Sequence, residues 1–161
     1  MELALKAISK DAVPGALATA DVYRLLNEPG ETESICRDVL ATDPANQTAL
    51  RLLGLSLTDQ FTGRETDAYV EAERAFASLT DPYDRMFNTA LLRERRAKAE
   101  IRIGNPPYMD AALLREALRL FAEAEKIRPP GNDEALLRWN RCVRLIQSRP
   151  DLEWATRDGR V

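Results

Sequence analysis

The sequence predicts an all-α fold built from helical repeats, and three observations carry that expectation. An apolar helical stripe runs into a proline and then a turn three times, over Thr32 to Asn46, Ala68 to Asp84 and Glu116 to Asp133. Helix formers dominate, β-branched residues are sparse, and no stretch alternates apolar with polar residues for long. At 161 residues, 45% of them hydrophobic and 30% charged, the chain has the size of one domain and enough apolar material for a continuous core. A recurring helix-turn-helix unit cannot bury its apolar face alone. Its neighbours must stack on it, which gives an extended, grooved solenoid of the kind that binds other chains.

The elements follow in order. Residues 1–12 are a leader. A first helix places Ala16, Thr19, Ala20 and Tyr23 on one face, followed by Leu26, until Glu28 to Gly30 break it. The second turns Thr32, Ile35, Cys36, Val39 and Leu40 inward and ends at Asp43 and Pro44. In the third, Leu50, Leu53, Gly54 and Leu57 repeat the spacing of the first helix. Gly54 stands where a bulkier residue would hold a neighbouring helix away, which explains a glycine despite its helix cost of roughly 1 kcal/mol. After a connection at Thr62 to Thr66, Ala68, Tyr69, Ala72, Ala75, Phe76 and Leu79 make the partner helix.

The third pair is longer. Phe87, Ala90, Leu91, Glu94, Ala97 and Ile101 form a stripe from Tyr83 to about Ile103, which Gly104 to Pro107 stop, and Leu114, Ala117, Leu118, Phe121 and Ala124 face inward on its partner. A closing helix carries Leu136, Trp139, Asn140 and Val143 on its stripe. The repeat domain therefore spans 13–147, and 148–161, with little apolar content beyond Leu152 and Trp154, is expected to be a mobile tail.

Composition excludes several classes. The chain has no histidine, the side chain most used for acid and base work near neutral pH and the commonest metal ligand. Cys36 and Cys142 stand far apart on apolar stripes, so they are expected to be buried in the core and not to form a metal pair or redox motif. The N-terminal stretch lacks the uninterrupted apolar core of a secretory signal, and nothing reaches membrane-spanning length, so a cytoplasmic protein without membrane association is expected. Residues 1–82 carry 7 Lys+Arg against 14 Asp+Glu, residues 83–161 carry 16 against 12, and the whole chain has a net charge of −3. This balance argues against nucleic-acid binding, which needs a basic footprint.

Ala117, Phe121, Ala124 and Pro129 show the small, aromatic, small, proline spacing of the second helix of a tetratricopeptide repeat, and Leu50, Leu53, Gly54 and Leu57 resemble its first. The chain resembles the tetratricopeptide-repeat family over about Val13 to Ile146, with divergent repeats. Pro44, Pro82 and Pro129 are 38 and 47 residues apart, against roughly 34 in a regular array, so the second and third units carry insertions. The resemblance implies a right-handed α-solenoid of three helix pairs plus a closing helix, with the first helix of each pair lining a concave face.

On those helices Arg24, Arg51, Arg85, Asn88, Arg95, Arg96, Arg102, Arg138, Arg141 and Arg144 are the candidate partner-binding residues, and Arg85, Asn88, Arg95 and Arg102 share with Leu92 and Ala99 a stripe away from the apolar one. Arginine forks pair bidentately with carboxylate or phosphate, so the expected partner is a protein or peptide, acidic in character, or a chain terminus. The competing reading is solvated arginines in local pairs, since Glu94 with Lys98 and Arg96 with Glu100 have the four-residue helical spacing. Trp139 is either a partner anchor or a packing residue of the closing helix.

A non-catalytic interaction module, monomeric or weakly homo-oligomeric, is the leading expectation. The chain also resembles the small helical-repeat chaperones that hold export substrates of bacterial secretion systems, and a self-assembling structural component is a third reading. No nucleophile, base and orienter recur at workable spacing, and no phosphate-cradling glycine loop exists, which argues against an enzyme, a cofactor or a metal site.

Overall fold

Proline stands first in half of the α-helices. In the computed structural model, which describes residues 3–158, a 3-10 turn at Lys10–Ala12 leads into α1 (Val13–Leu25), α2 (Pro29–Thr42), α3 (Gln47–Asp59), α4 (Asp67–Ala77), α5 (Pro82–Ile103), α6 (Pro107–Lys126), α7 (Glu134–Gln147) and α8 (Pro150–Asp158). Pro29, Pro82, Pro107 and Pro150 each stand first in their helix, where a fixed φ is pre-organised and the missing N–H is no loss. Glu28 to Gly30 thus opens α2 as well as closing α1. Asn46 caps α3 by accepting from the Ala49 N–H at 2.9 Å, and Asp81 caps α5 by accepting from Asp84 at 2.9 Å. Gly104, at φ 78°, supplies the left-handed residue that ends α5.

No strand occurs among the described residues, so the all-α expectation holds. Each helix packs on the next in sequence, while α1 touches α3, α3 touches α5 and α5 touches α7. One apolar core runs through the chain from Ala20 and Cys36 by way of Phe76 and Phe121 to Cys142 and Leu152, all of them buried. Phe76 and Phe121 are its largest fully buried side chains, and each contributes roughly 1.5–3 kcal/mol by burial. Both cysteines are free and buried, as expected. A smaller cluster of Val13, Val39 and Ala49 is covered by Ile8 of the leader.

Three expectations are corrected. Most of the segment read as a mobile tail is α8, which packs on α6 and α7 and buries Leu152 completely; residues 159–161 lie outside the described residues. One well-placed leucine, with a proline start and acids in the first turn, is sufficient to dock a nine-residue helix that has neighbours. The buried side of α7 is Ala135, Cys142 and Ile146; Leu136, Asn140 and Val143 are half-buried, and Trp139 is 38% exposed. The seam of α7 is therefore turned by about one residue from the expected stripe, with α6 and α8 as its main neighbours. On α5, Leu92 and Ala99 were expected away from the packed face, but both are fully buried, since α3, α4, α6 and α7 enclose this helix.

Candidate binding groove

A groove of about 610 Å³ is lined by the odd-numbered helices alone: Arg24 from α1, Arg51 and Leu55 from α3, Asp84, Phe87, Asn88, Leu91 and Arg95 from α5, and Glu134, Leu137 and Arg138 from α7. It exists because the odd helices contact one another in chain order while leaving their N-terminal halves, and the end of α1, open to one side. Leu55, Phe87, Leu91 and Leu137 supply an apolar lining, and Leu137 is 63% exposed.

Five of the ten candidate residues come together here: Arg24, Arg51, Asn88, Arg95 and Arg138. Arg24 grips Asp59 with two hydrogen bonds, 2.7 Å from Nε and 3.3 Å from Nη2. Arg95 donates to the same carboxylate and, at 2.7 Å, to the Thr58 hydroxyl. Burial, with Arg24 and Arg138 nearby, pushes the Arg95 pKa below its ordinary value while Asp59 opposes this; guanidinium remains charged regardless. Asn88, itself buried, donates its amide to the Asp84 carbonyl at 2.7 Å. Burial and the neighbouring Asp81 raise the Asp84 carboxyl above its usual range, and Arg51 pulls it back.

Two guanidinium groups differ from the rest. Arg51 makes no ion pair within 4.0 Å among the described residues, and Arg138 meets only Glu94, at 3.6 Å, an oxygen that Lys98 already holds. Both therefore retain donors toward the groove.

The other five candidates are elsewhere. Arg85 donates to the Leu79 carbonyl at 2.9 Å and Arg102 to the Phe61 carbonyl at 3.2 Å, so each satisfies a loop backbone. Arg96 pairs with Glu65 and Glu100 and lies over the Tyr69 ring at 5.6 Å. Arg141 and Arg144 are exposed on α7, farther along that helix than the groove reaches. The expected local pairs Glu94 with Lys98 and Arg96 with Glu100 are both present. Trp139 lines a separate 340 Å³ hollow with Ala122, Glu125, Leu136 and Asn140, which makes it part wall and part surface.

Sequence reasoning missed Asp59, Asp84 and Glu134; Leu91 and Phe87, placed on the apolar stripe, do belong to or pack against the core and also line the groove. The four-residue steps Arg51 to Leu55, Asp84 to Asn88 and Leu91 to Arg95 were the available signal, since such residues share a helical face. Among the described residues no group of acids and cysteines could hold a metal ion, and no helix is long and apolar enough to cross a membrane. Set against known proteins, the chain matches no family model, no curated protein and no solved structure.

Proposed function

We propose that this chain is a cytoplasmic, non-catalytic protein-binding module of the tetratricopeptide-repeat type, and that the groove between α1, α3, α5 and α7 takes an acidic peptide or chain terminus with an apolar side chain. The reading rests on one observation: Arg51 and Arg138 keep unused donors at the edges of an apolar lining. A carboxylate held by either would form charge-assisted hydrogen bonds, and an apolar side chain would cover Leu137 and the half-buried Phe87. The pairing of α1 with α2, α3 with α4 and α5 with α6, with odd helices touching in order, supports a stacked-repeat arrangement.

The test is fluorescence anisotropy with labelled peptide pools, one rich in Asp, Glu and Leu, the other with Lys in place of the acids. The acidic pool is expected to bind in a salt-sensitive way. Losing a hydrogen bond to a charged group costs about 1.5–3 kcal/mol, so Arg51→Glu with Arg138→Glu should weaken binding at least roughly tenfold. Arg141→Glu with Arg144→Glu should leave it unchanged. Equal binding of the two pools, or indifference to the Arg51 and Arg138 changes, would sink the assignment.

A further inference from the structure

Two buried carboxyl groups meet at the α5–α6 turn with no cation between them. Glu100, in the last turn of α5, is 5% exposed and Asp110, in the first turn of α6, is 2% exposed; the two side chains lie within hydrogen-bonding reach of each other. Glu100 Oε1 accepts from Arg96 Nε, but Glu100 Oε2 and Asp110 Oδ1 have no hydrogen-bond partner among the described residues. A buried, unpaired carboxylate oxygen is costly, and two such groups side by side cannot both ionise freely.

The two cations nearest this pair are each shared with another carboxylate. Arg96 is shared between Glu100 and Glu65, in the α3–α4 connection. Arg149, before α8, faces Asp110 but is forked onto Asp151 at 3.0 and 2.7 Å. One proton would give both orphaned oxygens a partner.

We propose that Glu100 and Asp110 share a single proton between Oε2 and Oδ1, making a latch that pins the first turn of α6 to the last turn of α5 and opens when that proton is lost to solvent. Glu100 also lines a 430 Å³ hollow with Glu65, Arg96, Tyr69, Met109 and Leu113, so loss of the shared proton takes the pair beside that hollow from one negative charge to two.

The titration direction agrees. Burial first, then the charge of Glu100, pushes Asp110 from its ordinary 3.8 up to about 6, with Arg149 opposing. A folded-state value above the unfolded one means that the protein takes up a proton on folding. The stabilisation is fully present below pH 3.8, declines as pH rises, and is gone above about pH 6. A difference of two units corresponds to roughly 100-fold in the folding constant.

Carbon-detected NMR of the side-chain carboxyls follows Asp110 directly in the full chain. Its midpoint is expected near pH 6 and should move toward the ordinary range in Glu100→Gln. In parallel, urea unfolding from pH 4 to 8 compares the wild type with Asp110→Asn, whose amide replaces the shared proton by a fixed N–H donor. The ratio of the two folding constants should change by roughly 100-fold across that range, in favour of the variant at high pH. Should Asp110→Asn fail to fold, the wild-type and Glu100→Gln titrations decide alone. An Asp110 midpoint near 4, a midpoint indifferent to Glu100→Gln, or parallel stability curves would each overturn the latch.

Discussion

Replacing Gly54 by alanine tests the closest helix approach in the core. Gly54 lies in the middle of α3, where seven consecutive residues from Leu52 to Thr58 are buried. A Cβ added there would lie 2.6 Å from Cζ and 2.8 Å from Cδ1 of the Phe76 ring on α4, and closer still to Cε1. Ordinary carbon contacts are about 3.5–4.0 Å, so the ring must retreat by about 1 Å. Phe76 is fully buried, so the ring must displace core neighbours to move. Two opposing effects then set the sign. Alanine improves helix propensity by about 1 kcal/mol, and overpacking a closed core costs about 1–3 kcal/mol.

Overpacking should win here, because three atoms of a fully buried ring all fall below 3.0 Å. A net loss of about 1–2 kcal/mol is expected, or roughly 2–8 °C in Tm for a chain of this size. Urea unfolding followed by circular dichroism at 222 nm measures it, with the midpoint falling while the slope is unchanged. Combining the change with Phe76→Leu should recover part of the loss, giving a coupling of about 1 kcal/mol between the two sites. If Gly54→Ala instead stabilises the protein by the full propensity gain, the helices α3 and α4 do not approach as described.

Two further outcomes test burial. Leu152→Ala should cost about 2–5 kcal/mol in urea unfolding, as expected for a fully buried leucine, whereas a frayed segment would lose less than about 0.5 kcal/mol. Burial pushes the thiols of Cys36 and Cys142 up to about 12, so iodoacetamide at pH 8 should leave both unmodified in the native protein and alkylate both in urea; labelling of either in the native state at the rate of a free thiol would contradict its position.

Most of the helical framework was legible because it is written in local chemistry. Prolines, caps and apolar periodicity depend on residues within a turn or two of each other, and they locate α1 to α6. Gly54 was legible too, since a glycine inside a strong stripe implies a close neighbour. What was missed depends on partners distant in sequence. The seam of α7 is decided by α6 and α8, and α8 owes its order to the site that Leu152 fills. The groove was half legible: arginines can be counted from sequence, but which carboxylate reaches each one cannot.

That last point changes what the uneven charge of the chain means. The second half carries most of the arginines while the acids are divided almost evenly, which from sequence looks like a basic surface offered to a partner. In the fold, much of the surplus turns back on the chain itself. Arg95 reaches Asp59, Arg93 reaches Glu73 while lying over Tyr69, and Arg96 reaches Glu65, so three arginines of α5 fasten the longest helix to α3, α4 and the connection between them. Their side chains are less than one-fifth exposed, where ion pairs are screened less than at the surface and where losing one partner strands the other. Arginine density on α5 therefore reports a joint between the two halves, and the cations that remain for a ligand are those with incomplete pairing. By that criterion the groove guanidinium groups with donors to spare are those of Arg51 and Arg138, on helices two elements either side of Glu94, and not those of the arginine-rich helix between them.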